Sequence, residues 1–113
     1  MSTLSTHVLD TSRGRPAAGL PVVLARRDGD GWVELARGVT SADGRVKDFL
    51  PPGTELEPAV YRLSFDTAAY HRAQKEPGFY PSVELVFEVT AANEHYHVPL
   101  LLSPYGFSTY RGS

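Results

Sequence analysis

The sequence contains no cysteine. Disulfide frameworks and thiolate chemistry are therefore excluded, while the redox compartment stays open. An excess of one charge is also lacking: 11 Lys and Arg stand against 13 Asp and Glu, a formal net charge of −2. Nucleic-acid binders usually show a basic stripe, so no nucleic-acid partner is expected. No polybasic run suggests an anionic membrane surface, and no apolar run approaches the roughly 18 residues that a membrane span needs. The opening residues Met1 to Thr6 lack a basic segment followed by an apolar one, so no secretory leader is expected. The closing Arg111-Gly112-Ser113 is not a peroxisomal address. The expected location is cytoplasmic, with no membrane partner.

What is present is strand-like. A chain of 113 residues is long enough for one domain, residues 1–113, and too short for two. Such a chain buries roughly 65% of its unfolded surface, enough for one modest core. Alternating runs predict strands at Leu4 to Asp10, Leu20 to Arg27, Trp32 to Val39, Ala59 to Phe65 and Val83 to Val89. A terminal pair follows, His95 to Leu102 and Tyr105 to Tyr110, around a Ser-Pro-Tyr-Gly turn. Arg45 to Phe49 reads as a short extended piece, and Leu50-Pro51-Pro52-Gly53 as irregular. Thr11 to Gly19 reads as a loop, and Asp28-Gly29-Asp30-Gly31 as a hairpin turn. The one helical stretch is Thr67 to Lys75, with Asp66 as its N-cap and Pro77-Gly78 beyond its end. About eight short strands and one helix predict an all-β sandwich.

Side chains able to do chemistry concentrate in the last nineteen residues. On the first terminal strand, parity places Tyr96, Val98, Leu100 and Leu102 on the core side. His95, His97, Pro99 and Leu101 then look outward, although Pro99 and Leu101 suit water poorly. A sheet that is apolar on both faces is usually covered on both, so the outer face is expected to meet another copy of the chain. Gly106 and Ser108 would leave a groove in it. Two histidines two apart on a strand suit either a metal or an acid–base pair. A zinc reading needs a third ligand, with His7 or His71 available. As plain surface features, His95 is an exposed strand end and His71 a solvated helix residue. No Gly-x-Ser-x-Gly elbow occurs, but Ser103, Ser108 and Ser113 lie near the histidines in sequence, and a serine nucleophile stays open. Glu84 and Glu88 read as the wet face of a strand.

The terminal Tyr110-Arg111-Gly112-Ser113 resembles the C-terminal signature of the 5-hydroxyisourate hydrolases, transthyretin-related enzymes of urate breakdown. The likeness extends to Leu4-Ser5-Thr6-His7-Val8-Leu9-Asp10, to Thr40-Ser41-Ala42-Asp43-Gly44-Arg45, and to the Pro-Gly-Phe-Tyr-Pro after the helix. It implies a transthyretin-like sandwich of two four-stranded sheets with one short helix. It implies a homotetramer, a dimer of dimers around a channel, with active sites at the subunit interface. The implied reaction opens the six-membered ring of 5-hydroxyisourate by hydrolysis to a carboxylated ureidoimidazoline, with no metal or organic cofactor. By position, the resemblance makes His7, Arg45 and His97 catalytic and adds Ser108 and Tyr110 to the substrate site. Phe107 stands where many members have tyrosine, but its parity with Tyr105 and Thr109 keeps it off that face. The alternative within the same fold is a carrier of small aromatic ligands, which would lack His7, Arg45 and His97 at the channel mouth.

Overall fold

The computed structural model describes residues 3–46, 49–50, 54–91 and 93–112. Its strands are β1 (Thr3–Asp10), β2 (Arg15–Pro16), β3 (Pro21–Asp28), β4 (Gly31–Val39), β5 (Ala59–Phe65), β6 (Val83–Val89), β7 (His95–Ser103) and β8 (Gly106–Thr109). The helix α1 (Thr67–Ala73) lies between β5 and β6. Two four-stranded sheets form, in the orders β2-β1-β7-β8 and β4-β3-β5-β6. All pairings are antiparallel except β1 with β7, which run parallel with Ser5 opposite His97 and His7 opposite Pro99.

Alternation builds the core between the sheets. One sheet contributes Leu4, Val8, Tyr96, Val98, Leu100 and Leu102, and the other Val22, Leu24, Tyr61, Leu63, Phe65, Val83, Leu85 and Val89. Each such apolar side chain contributes about 1.5–3 kcal/mol on burial. Thr6 falls in the same buried row and meets the polar requirement locally, its hydroxyl donating to the Val98 carbonyl at 2.8 Å. Parity therefore leaves Ser5, His7, His97 and Leu101 on the outer face of the first sheet.

Three expectations change. The loop Thr11 to Gly19 contains β2, which pairs with Leu9 and Asp10. On β4, the alternation read from Trp32 to Val39 is interrupted. A register shift between Leu24 and Ala25 sets Leu24 against Ala36 and Ala25 against Glu34, and Val33 is left 43% exposed. The helix stops at Ala73, two residues short of Lys75, which turns left-handed at φ 57°. Its start is as expected: the Asp66 carboxylate accepts from the Ala69 amide at 3.0 Å. The short piece after Arg45 and the proline run lie partly outside the described residues, at 47–48 and 51–53.

His71 is the clearest reversal. It is 3% exposed, packs against Gly78, and its Nδ1 lies 3.1 Å from a Glu76 carboxylate oxygen. Thr67, Tyr70 and His71 are the buried side of the helix. Tyr70 donates to the buried Asp10 at 2.6 Å, which ties the helix to the end of β1.

Candidate active site

The tight turn before Arg45 brings that residue to β1. Ser41 accepts from the Gly44 amide at 2.8 Å and donates its own amide to the Arg45 carbonyl at 2.7 Å. Gly44 sits at φ +78°, a region open to glycine at no steric cost. Its carbonyl accepts from the Val8 amide at 2.8 Å, so the turn lies flat on the strand. A Cβ at Gly44 would stand 2.4 Å from the Val8 carbonyl oxygen and 3.2 Å from the His7 ring. Close approach of backbone to backbone is thus what sets Arg45 beside His7, with which it forms a β-bridge.

On the neighbouring strand, His97 forms a second bridge, to Gly112. The Gly112 amide donates to the His97 carbonyl at 2.8 Å, and a Cβ there would lie 2.4 Å from the His97 ring. The end of the chain therefore folds back over the imidazole. His97 Nδ1 is held by the Ser5 hydroxyl at 2.7 Å. Burial holds the His97 pKa below its ordinary 6.5, and Arg45, then His95, then His7 lower it further, against a smaller opposing contribution from Ser5. His97 is accordingly neutral at pH 7. His7 Nε2 is shielded from solvent and has no hydrogen-bond partner among the described residues. A buried polar atom without a partner costs about 1–3 kcal/mol, so this nitrogen is set for a ligand or a water.

The structure thus brings His7, Arg45 and His97 together on the outer face. Ser108 lies on the same face but farther along, lining a groove of about 250 Å³ with Thr11, Leu101, Ser103, Gly106 and Phe107. Tyr110 lines a different cleft, of about 340 Å³, where β6 and β8 form the open edge of the sandwich beside Val86 and Arg111. The larger cleft is apolar and lies away from the imidazoles, so its size does not make it the reactive centre. Neither cleft is lined by His7, Arg45 or His97. Within the single chain Arg45 is exposed, whereas His7 and His97 are half-buried. Among the described residues, no three His, Asp or Glu side chains converge as a metal-ligand set.

Ser5 is the residue that sequence reading missed. Its hydroxyl contacts both His97 Nδ1 and His95 Nε2. Parity with His7 places it on the right face, but its distance from His97 follows only from the parallel pairing of β1 with β7. His95 is exposed, as expected, yet hydrogen-bonded to both Ser5 and Thr3.

A neutral imidazole, an unpartnered imidazole nitrogen and a guanidinium on an outer sheet face define the class: a transthyretin-like β-sandwich equipped for hydrolysis. Comparisons with known proteins agree. The profile described as the HIUase/Transthyretin family matches residues 4–112, and the chain belongs to that family. It is 47% identical over 110 residues to a protein of Salmonella dublin named 5-hydroxyisourate hydrolase, covering 97% of this chain and 80% of that one. The solved structure of Klebsiella pneumoniae 5-hydroxyisourate hydrolase superposes with a TM-score of 0.84 at 38% identity, covering 98% of this chain and 99% of that one. Sea bream transthyretin in complex with thyroxine superposes at 0.89 and 32% identity, covering 96% and 93%. Among the described residues, no helix is long and apolar enough to cross a membrane.

Proposed function

We propose that this chain hydrolyses 5-hydroxyisourate, opening its six-membered ring. The observation that carries the reading is the meeting of neutral His97, unpartnered His7 Nε2 and Arg45 on one face. Water must be made nucleophilic, the developing oxyanion stabilised and the leaving nitrogen protonated. His97 takes the water proton, because a base that is neutral at the working pH and already oriented is suited to that step. The oxygen adds to the ring carbonyl carbon, the C–N bond breaks, and the nitrogen leaves with a proton. Arg45 faces the carbonyl oxygen with a planar fork of donors that stays charged throughout. His7 Nε2 hydrogen-bonds the substrate. Ser108 positions the ring from the groove farther along that face, and Tyr110 is assigned to the substrate site through the family signature.

The whole chain acts as one domain, and the working form is a homotetramer, a dimer of dimers. The support is the exposed Arg45 beside half-buried His7 and His97, together with the half-buried apolar Leu9 and Leu101 on the same face, since excluding water strengthens every charge interaction in such a site. The proposed compartment is the cytoplasm. Addition of the protein to freshly generated 5-hydroxyisourate should speed the decay of its ultraviolet absorbance, with chelator present or absent. Decay at the spontaneous rate by folded tetramer would sink the reading and favour the aromatic-ligand carrier. His97→Ala and Arg45→Ala should each lower kcat about 10²–10³-fold while the tetramer persists, in line with loss of one preorganised group.

A further inference from the structure

The parallel register of β1 and β7 sets Thr3 opposite His95 and Ser5 opposite His97 on the outer face. Their side chains form one continuous chain. Thr3 Oγ1 lies 2.5 Å from His95 Nδ1, His95 Nε2 lies 2.9 Å from Ser5 Oγ, and Ser5 Oγ lies 2.7 Å from His97 Nδ1. We propose that Thr3, His95 and Ser5 are positioning residues that form a reversible proton relay behind His97, moving the proton taken from water out to the exposed His95.

The chemistry of the bridging hydroxyl sets the direction. Ser5 Oγ carries one proton, so when it donates to one imidazole it must accept from the other. In the order that arms the base, His97 Nδ1–H donates to Ser5 Oγ, Ser5 donates to His95 Nε2, and His95 Nδ1–H donates to Thr3 Oγ1. The lone pair on His97 then sits on Nε2. When Nε2 takes a proton from water, Nδ1 passes its proton to Ser5 Oγ, and the Ser5 proton moves to His95 Nε2. The charge ends on His95 as an imidazolium, and His97 is neutral with its proton on Nε2. Reversal of the same shifts returns the proton through His97 Nε2 to the leaving nitrogen, and every group regains its starting form. The step conserves atoms and charge and needs no further reactant.

Placement of charge favours this route. A cation held on His97 would be half-buried and would face Arg45, His7 and His95, all of which lower its basicity. On His95 the cation is hydrated. The only carboxylate beside it in sequence, Glu94, accepts from Tyr96 at 3.0 Å and pairs with Arg111 at 3.6 Å.

The inference rests on the hydrolase reading, and its test separates the two. Ser5→Ala and His95→Gln should each lower kcat about tenfold or more with little change in KM, within the range for assisted proton transfer. Ser5→Thr, which keeps the hydroxyl, should restore most of it. Measured in mixtures of light and heavy water, the wild-type kcat should curve with deuterium fraction, as several protons move together, and the Ser5→Ala line should be straight. Nitrogen chemical shifts of His97, read without substrate, should report Nδ1–H in the wild type and a changed tautomer mixture in Ser5→Ala. Wild-type kcat and curvature in Ser5→Ala, with a wild-type His97 tautomer, would overturn the relay while leaving the hydrolase intact. No hydrolysis by the wild type would remove the function, and the nitrogen shifts would still decide the hydrogen-bonded chain.

Discussion

Gly44→Ala should damage stability and catalysis together, because one backbone contact serves both. Gly44 sits at φ +78°, where an alanine costs about 1–2 kcal/mol. The added methyl would stand 2.4 Å from the Val8 carbonyl oxygen and 3.0 Å from the Pro16 side chain. The nearest obstacle is backbone, which cannot rotate aside, so the turn must lift off β1. Lifting breaks the 2.8 Å bond from the Val8 amide, for about 1 kcal/mol more. The expected loss is about 2–3 kcal/mol, read as a lower urea midpoint at unchanged slope. Arg45 is the next residue and rides on the turn. Displacement of a positioned group by about 1 Å can cost roughly 10²-fold in rate, so kcat should fall by that order in protein that is still folded. Unfolding within about 0.5 kcal/mol of wild type, together with unchanged kcat, would show that the turn tolerates the methyl and that the close approach does not position Arg45.

Three further outcomes follow from the charges. Arg45→Gln removes a cation that holds His97 down, so the His97 pKa should rise toward 6.5, as followed by proton NMR titration; no rise would mean that the two side chains do not interact. Because the folded value lies below 6.5, the unfolded chain binds the proton first as pH falls. The folded state should therefore lose stability as pH drops below 6.5, with the penalty complete only below the folded pKa. Tyr70→Phe removes the 2.6 Å bond to buried Asp10 and should cost about 1–3 kcal/mol in urea unfolding. Burial raises the Asp10 pKa, but hydrogen bonds from Tyr70, Ser12 and Arg13 outweigh it and hold the group below 3.8. Its stabilisation is lost as pH falls through the folded value, so acid unfolding of Tyr70→Phe should begin at higher pH; an unchanged acid limb would refute the pairing.

Much of this molecule could be read from alternation. Wherever a strand has one face in the core, as in β5, β6 and β7, the pattern of large apolar residues identified that face and so placed His97 on the other. The method failed where structure depends on a partner rather than on local pattern. The two residues of β2 are a strand only because Leu9 and Asp10 accept them, and the offset on β4 shows only in its pairing with β3, where Leu35 is left without an opposite residue. His71 was within reach: with Thr67 and Tyr70 it shares one helix face at spacings of three and four, and the cluster is buried. Ser5 was not, because a serine in a strand has no signal of its own. What sets it between two imidazoles is the pairing of segments about 90 residues apart. Tyr110 was assigned to the site through its family signature, and its surroundings at the sandwich edge depend on where the other sheet ends.

The parallel pair of β1 and β7 also has a meaning in time. A chain made from its N-terminus produces Ser5 and His7 first and then waits for His95, His97 and Gly112 before the cluster can form. Contacts so far apart in sequence are slow to form, since a long loop must close before they can stabilise anything. The second sheet, β4-β3-β5-β6, lies wholly within residues 21–89 and can pair without either end of the chain. Partly folded species with that sheet complete would have no base and no bound Arg45. The earliest strand remains an open edge until the seventh arrives, and the onset of activity during refolding becomes a clock for the joining of the two ends.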